Sequence, residues 1–137
     1  MSRWLSPLRL ELVDEFENIH ELLAPLVYQS DMLGRTVEVP ASFRTDLASV
    51  PRVVGAYLLF GGKGARASVL HDYAYSGGLA VTRDLADNLF REALLASGYS
   101  AVTAWAMYRG VRWGGASRFN EPNLQQPAEV FEVMEAP

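Results

Sequence analysis

Apolar and polar positions alternate through the first forty-odd residues, and the period then becomes helical. Leu8-Arg9-Leu10-Glu11-Leu12-Val13 sets apolar residues at alternate positions, the pattern of a half-buried strand. Leu22 to Tyr28 is mostly apolar but contains Pro25. Proline has no ladder donor, so this strand lies at an edge or is broken there. Met32-Leu33-Gly34-Arg35 reads as a turn, and Thr36-Val37-Glu38-Val39-Pro40 alternates again and stops on proline. Two or three antiparallel strands are predicted, with His20 between the first two.

From Val53 onward the spacing suits helices. Val53 to Phe60 is a short apolar stretch ended by Gly61-Gly62. Lys63 to Tyr75 suits a helix closed by Ser76-Gly77-Gly78. Thr82 is placed to cap a helix running to about Ser97, with Gly98 as its stop, and Ser100 to cap another reaching about Trp113. Strands first and helices after them indicate an α+β domain over residues 1–116. Residues 117–137, rich in Pro, Gln and Glu, read as an extended C-terminal tail suited to gripping a partner.

Composition narrows the classes. Half of the 137 residues are apolar, enough for one domain with a real core. There is no cysteine, which excludes disulfides and thiolate chemistry. The formal net charge is -4 and the basic residues are scattered, loosely grouped at Arg83/Arg91 and Arg109/Arg112/Arg118, so no broad nucleic-acid surface is expected. The N-terminal residues lack the apolar stretch of a signal peptide and no run has membrane-spanning length, so a soluble protein folded inside a cell is expected.

The chemistry concentrates at His71-Asp72. Ala67, Leu70, His71 and Ala74 follow i, i+3, i+4, i+7 spacing, which puts His71 on a buried stripe with Asp72 and Tyr75 towards its flank. A buried imidazole needs a partner at each buried nitrogen. The next helix offers Asp87 beside its stripe of Ala86, Leu89, Phe90 and Ala93, with Asp84 further out. A short connection favours antiparallel packing, which brings His71 and Asp87 face to face. The spacing leaves two readings open: a general base held by a carboxylate, or a satisfied core histidine with Arg83, Asp87 and Arg91 forming a solvated ion-pair ladder. A second cluster, Phe43 to Arg52, stands where strands give way to helices. Asp46 and Ser49 there suit turn and cap roles, and Asp46 with Asp72 also suits a shared hard cation. Zinc is less suited, since only His20 and His71 offer nitrogen. Between Ser100 and Trp113, Trp105 and Tyr108 are expected to complete the core, while the mix of Trp105, Tyr108, Arg109, Arg112 and Trp113 also suits an interface.

Two resemblances carry further expectations. Val39-Pro40-Ala41-Ser42-Phe43-Arg44-Thr45-Asp46-Leu47-Ala48-Ser49-Val50-Pro51-Arg52, with Val69-Leu70-His71-Asp72-Tyr73-Ala74-Tyr75 and Ala86-Asp87-Asn88-Leu89-Phe90, resembles a family of small phage and prophage proteins of unknown function. That resemblance implies a phage protein of the late structural region, in the virion tail or in the host cytoplasm during assembly, with other virion proteins as partners. It fits equally a non-catalytic tail component or tail-assembly factor. The shorter pattern His71-Asp72-x-x-Tyr75 is similar to the active helix of secreted, calcium-dependent phospholipases of the A type. This second resemblance implies a lipid ester hydrolase acting on host membrane lipid. His71 would activate water, with Tyr75 and Asp87 holding it. Asp72, Asp46 and the carbonyl of Leu47 would bind calcium.

Overall fold

The computed structural model describes residues 1–46 and 63–119. Six strands come first: β1 (Arg3–Trp4), β2 (Leu10–Asp14), β3 (Ile19–Leu22), β4 (Leu26–Ser30), β5 (Arg35–Val39) and β6 (Arg44–Thr45). Three α-helices follow among the described residues, α1 (Ala65–Tyr75), α2 (Arg83–Ala96) and α3 (Ala101–Gly114), and then a short 3-10 helix, Ala116–Arg118. The architecture is α+β, as the strand-then-helix order predicts.

The strands form two antiparallel three-stranded sheets, ordered β1-β4-β5 and β2-β3-β6. Six strands exceed the two or three expected from alternation. The added strands β1 and β6 are two residues each, too short to show a period. Pro25 divides the long apolar run: β3 ends at Leu22, β4 begins at Leu26, and each half joins a different sheet. His20 lies within β3, opposite Leu12 and Thr45, rather than between strands. Its Nδ1 is buried without a hydrogen-bond partner among the described residues.

The core sits between the β1-β4-β5 sheet and the helices. Leu26 and Tyr28 of β4 and Val37 and Val39 of β5 turn inward, and Ala86, Leu89, Phe90, Ala93 and Leu94 of α2 are all buried. Full burial of each large apolar side chain contributes about 1.5–3 kcal/mol. Trp4 packs on Tyr28 with ring centroids 4.6 Å apart and donates its indole N–H to Ser97 Oγ at 2.9 Å, tying β1 to the end of α2. The central helix α2 packs on both other helices and on β1 and β4.

Glu92 fixes α2 to the β4–β5 hairpin. Its Oε1 accepts from Tyr28 OH at 3.0 Å and Ser30 Oγ at 2.7 Å, and its Oε2 from the Met32 N–H at 2.8 Å. Burial, then the Glu92 charge, pushes the Tyr28 phenol well above its ordinary value, so it stays a donor. No described helix is long and apolar enough to cross a membrane.

Trp105 departs from expectation. It is 50% exposed, and Ala104, Met107 and Val111 supply the buried face of α3 instead. The apolar stretch 53–60 and the tail beyond residue 119 lie outside the described residues.

Candidate functional site

The site grows from the α1–α2 pair. In α1, Ala67, Leu70, His71 and Ala74 are at most 1% exposed, as the stripe requires. Thr82 caps α2, its side chain accepting from the Leu85 N–H, and this start sets Asp87 one turn into the helix. Asp87 and His71 are both fully buried.

His71 Nε2 lies 2.7 Å from Asp87 Oδ1, and Tyr75 OH donates to the same oxygen at 2.6 Å. The His71 ring packs between Tyr75, at 4.1 Å between centroids, and Phe90, at 4.7 Å. Asp87 Oδ2 accepts from Arg112 Nη1 at 2.9 Å. Arg83 Nε lies 3.8 Å from Asp87 Oδ2 and donates to Tyr75 OH at 3.1 Å. The Arg83 Nη2 also reaches the carbonyls of Val111 and Arg112 at the end of α3. Arg83 is therefore no member of a solvated ladder: Asp87 is interior, and α3 supplies its closest cation.

These contacts assign protonation. Burial lowers the His71 pKa, outweighing the opposing hydrogen bond and charge of Asp87, so the imidazole is neutral. Burial acts to raise Asp87, but hydrogen bonds from His71, Tyr75 and Arg112 hold it below the ordinary carboxylate value. Burial and the Asp87 carboxylate push the Tyr75 phenol well above its usual range. A neutral imidazole facing an ionised carboxylate carries its proton on the facing nitrogen, Nε2, and its basic lone pair on Nδ1.

The shifts of His71 and Asp87 share one consequence. Above the ordinary histidine value of about 6.5, folded and unfolded chains both hold His71 neutral and the network contributes fully. As pH falls below that value, the unfolded chain takes up a proton that the folded chain refuses, and stability declines. Asp87 extends the decline below the ordinary carboxylate value. Urea unfolding should show stability falling between about pH 7 and pH 5, with a shallower slope in His71→Leu. Equal slopes would contradict the assignment of a neutral His71.

Gly115 borders the site. A Cβ there would stand 2.6 Å from the Val111 carbonyl oxygen and 2.8 Å from Tyr75 OH. Its φ of -98° suits any residue, so the cost of Gly115→Ala is one of space. Overpacking predicts a loss of about 1–3 kcal/mol in denaturant unfolding.

Of the other predicted residues, Asp72 follows His71 in α1 and is half-buried. Asp72 Oδ2 accepts from Thr45 Oγ1 at the end of β6, and Thr45 is buried. Asp46 follows Thr45 and is exposed, while Leu47 lies outside the described residues. His71, Tyr75 and Asp87 thus form one group, with Asp72 and the β6 end adjoining it. The oxygen-only donors Asp72 and Asp46 suit a hard cation. No group of three or more His, Cys, Asp or Glu side chains among the described residues is placed to hold a metal.

Sequence reasoning missed Arg112, the bridging role of Arg83 and the Thr45–Asp72 bond. Arg83 left a local trace, lying four residues before Asp87. Arg112 and Thr45 reach the site only through tertiary packing.

A family model described as a protein of unknown function, DUF1353, matches residues 20–111. No curated protein and no solved structure matches the chain.

Proposed function

The chain belongs to the DUF1353 family, and from that premise we propose that it is a phage virion or tail-associated protein whose His71–Asp87 centre hydrolyses a lipid ester. The phage assignment rests on the resemblance of Val39–Arg52 and Val69–Tyr75 to phage proteins. The observation carrying the chemistry is that Asp87 Oδ1 accepts from both His71 Nε2 and Tyr75 OH. This fixes the ring, places the lone pair on Nδ1, and keeps a carboxylate ready to stabilise the imidazolium.

In the reaction, which requires local opening to bring water to the buried His71, Nδ1 takes a proton from water as the water oxygen attacks the ester carbonyl. The tetrahedral intermediate then collapses, the ester C–O bond breaks, and the imidazolium returns its proton to the leaving alkoxide. Asp87 stays ionised throughout, held by Arg112. Tyr75 keeps the carboxylate aimed and does not itself transfer the proton. Asp72, Asp46 and the Leu47 carbonyl are the residues that would hold a calcium ion, which when bound polarises the carbonyl.

The test is fatty-acid release from mixed phospholipid vesicles with calcium. His71→Gln should reduce the rate by about 10²–10⁴ while the fold is retained. Asp72→Asn should weaken the calcium dependence. A wild-type protein that releases no fatty acid defeats the hydrolytic reading.

One observation favours a second reading, a non-catalytic tail component or assembly factor. Asp87 is gripped by His71, Tyr75 and Arg112 with Arg83 close by, an arrangement that also suits a stabilising buried network. On that reading calcium changes nothing, and His71→Gln lowers stability or assembly.

A further inference from the structure

The outer face of α3 is apolar and exposed. Val102, Trp105, Ala106, Arg109 and Trp113 follow i, i+3, i+4, i+7, i+11 spacing, opposite the buried Ala104, Met107 and Val111. Val102 is 77% exposed and Trp113 is 93% exposed. Arg109 lies over the Trp105 ring at 5.7 Å. Two tryptophans and an arginine on one exposed stripe are the side chains that dominate binding surfaces. No described element covers them.

Charge singles out an occupant. Between Glu92 and Glu121 the chain has no acidic residue, while Arg109, Arg112 and Arg118 fall in that interval. Beyond Asn120 the balance reverses: Glu121, Glu129, Glu132 and Glu135 have no basic residue among them. These four glutamates equal the entire formal net charge of -4. The last three alternate with Val130, Phe131, Val133 and Met134, so Glu129–Glu135 combines acidic and apolar groups. That composition complements a face of tryptophan and arginine.

The tether permits the meeting. The described chain ends at Phe119, whose ring packs edge-on against Tyr75 at 5.1 Å, just after the end of α3. The intervening residues 120–128 span up to about 30 Å when extended, against about 21 Å for the length of α3. Glu129–Glu135 therefore reaches every position on the stripe, at the high effective concentration a short tether provides.

We propose that Glu129–Glu135 docks on the outer face of α3 in the same molecule. Phe131 and Met134 cover Trp105 and Trp113, and Glu132 pairs with Arg109. An external protein seeking this face has to displace an acidic segment first. The inference is independent of the hydrolytic reading, since it uses none of the residues of the His71 centre.

The test uses the full chain labelled with 5-fluorotryptophan and followed by ¹⁹F NMR. Trp105→Phe and Trp113→Phe assign the two exposed resonances, and the H₂O-to-D₂O shift of each reports solvent contact. Docking predicts that both shifts are smaller in the native chain than in Phe131→Asp/Met134→Asp. Arg109→Glu should expose the rings, and Arg109→Glu/Glu132→Arg should cover them again. The resonance of Trp4, whose ring packs on Tyr28, reports in each variant that the fold is retained. Fully solvent-exposed rings in the native chain, unmoved by the tail substitutions, overturn the proposal. Protection that vanishes on dilution together with a drop in mass from dimer to monomer also overturns it, in favour of a second copy. Protection seen only with anionic vesicles overturns it in favour of a lipid surface.

Discussion

Asp87→Ala is expected to destabilise the protein by about 2–6 kcal/mol, because it leaves two buried neutral donors, His71 Nε2–H and Tyr75 OH, without an acceptor, at about 1–3 kcal/mol each. Asp87 is the common acceptor for His71 Nε2, Tyr75 OH and Arg112 Nη1. His71 is fully buried and Tyr75 is 1% exposed, so neither recovers solvent readily when the carboxylate goes. Against a typical domain stability of about 5–15 kcal/mol, the loss takes a large share. Asp87→Asn keeps the shape and one acceptor oxygen and should cost less, while Tyr75→Phe removes the donor to Asp87 and the acceptor of Arg83 Nε and should cost about 1–2 kcal/mol. Urea unfolding of the three variants measures this order. An Asp87→Ala chain as stable as Tyr75→Phe would show that the network is not an organising element of the core.

Glu92→Ala is the second large effect, expected at about 2–4 kcal/mol, since hydrogen bonds to a charged acceptor are worth more than neutral ones. Its three donors come from one hairpin: Tyr28 and Ser30 on β4 and Met32 in the turn. Tyr28 is fully buried and Ser30 is 2% exposed, so their hydroxyls lose their acceptor in the interior. The β4–β5 hairpin should also lose amide protection in hydrogen exchange, beyond any change in β2–β3. Uniform loss over both sheets would mean that Glu92 acts on global stability alone and does not clamp this hairpin. The effects of Asp87 and Glu92 should be close to additive, because they bind different partners on opposite sides of α2.

The helices were legible in the sequence because their signals are local. Thr82 and Ser100 occupy the N-cap positions, and the His71 stripe follows from spacing alone. The facing of His71 and Asp87 followed from a short connection between two amphipathic helices. The sheets were only partly legible. Pro25 marks the break between β3 and β4, but nothing local indicates that the two halves enter different sheets. Two-residue strands owe their conformation to their neighbours: β6 exists because β3 pairs with it. Trp105 shows the limit of reading size as burial, since small Ala104 fills the crowded face and the larger ring is left outside. Arg112 was out of reach for a related reason. It follows Asp87 by 25 residues, and only the packing of α3 brings it to 2.9 Å.

Arg83 joins parts of the chain that are otherwise independent. One guanidinium at the start of α2 touches the tyrosine hydroxyl at the end of α1 and two carbonyls at the end of α3. The helical half therefore has little freedom to come apart one helix at a time. Fraying the last turn of α3 withdraws Arg112 and the carbonyl anchor together, and Tyr75 and Asp87 lose support in the same event. The three helices should open as one cooperative unit, with their slowest amides exchanging at a common free energy. Such an all-or-none unit keeps its polar centre either complete or absent.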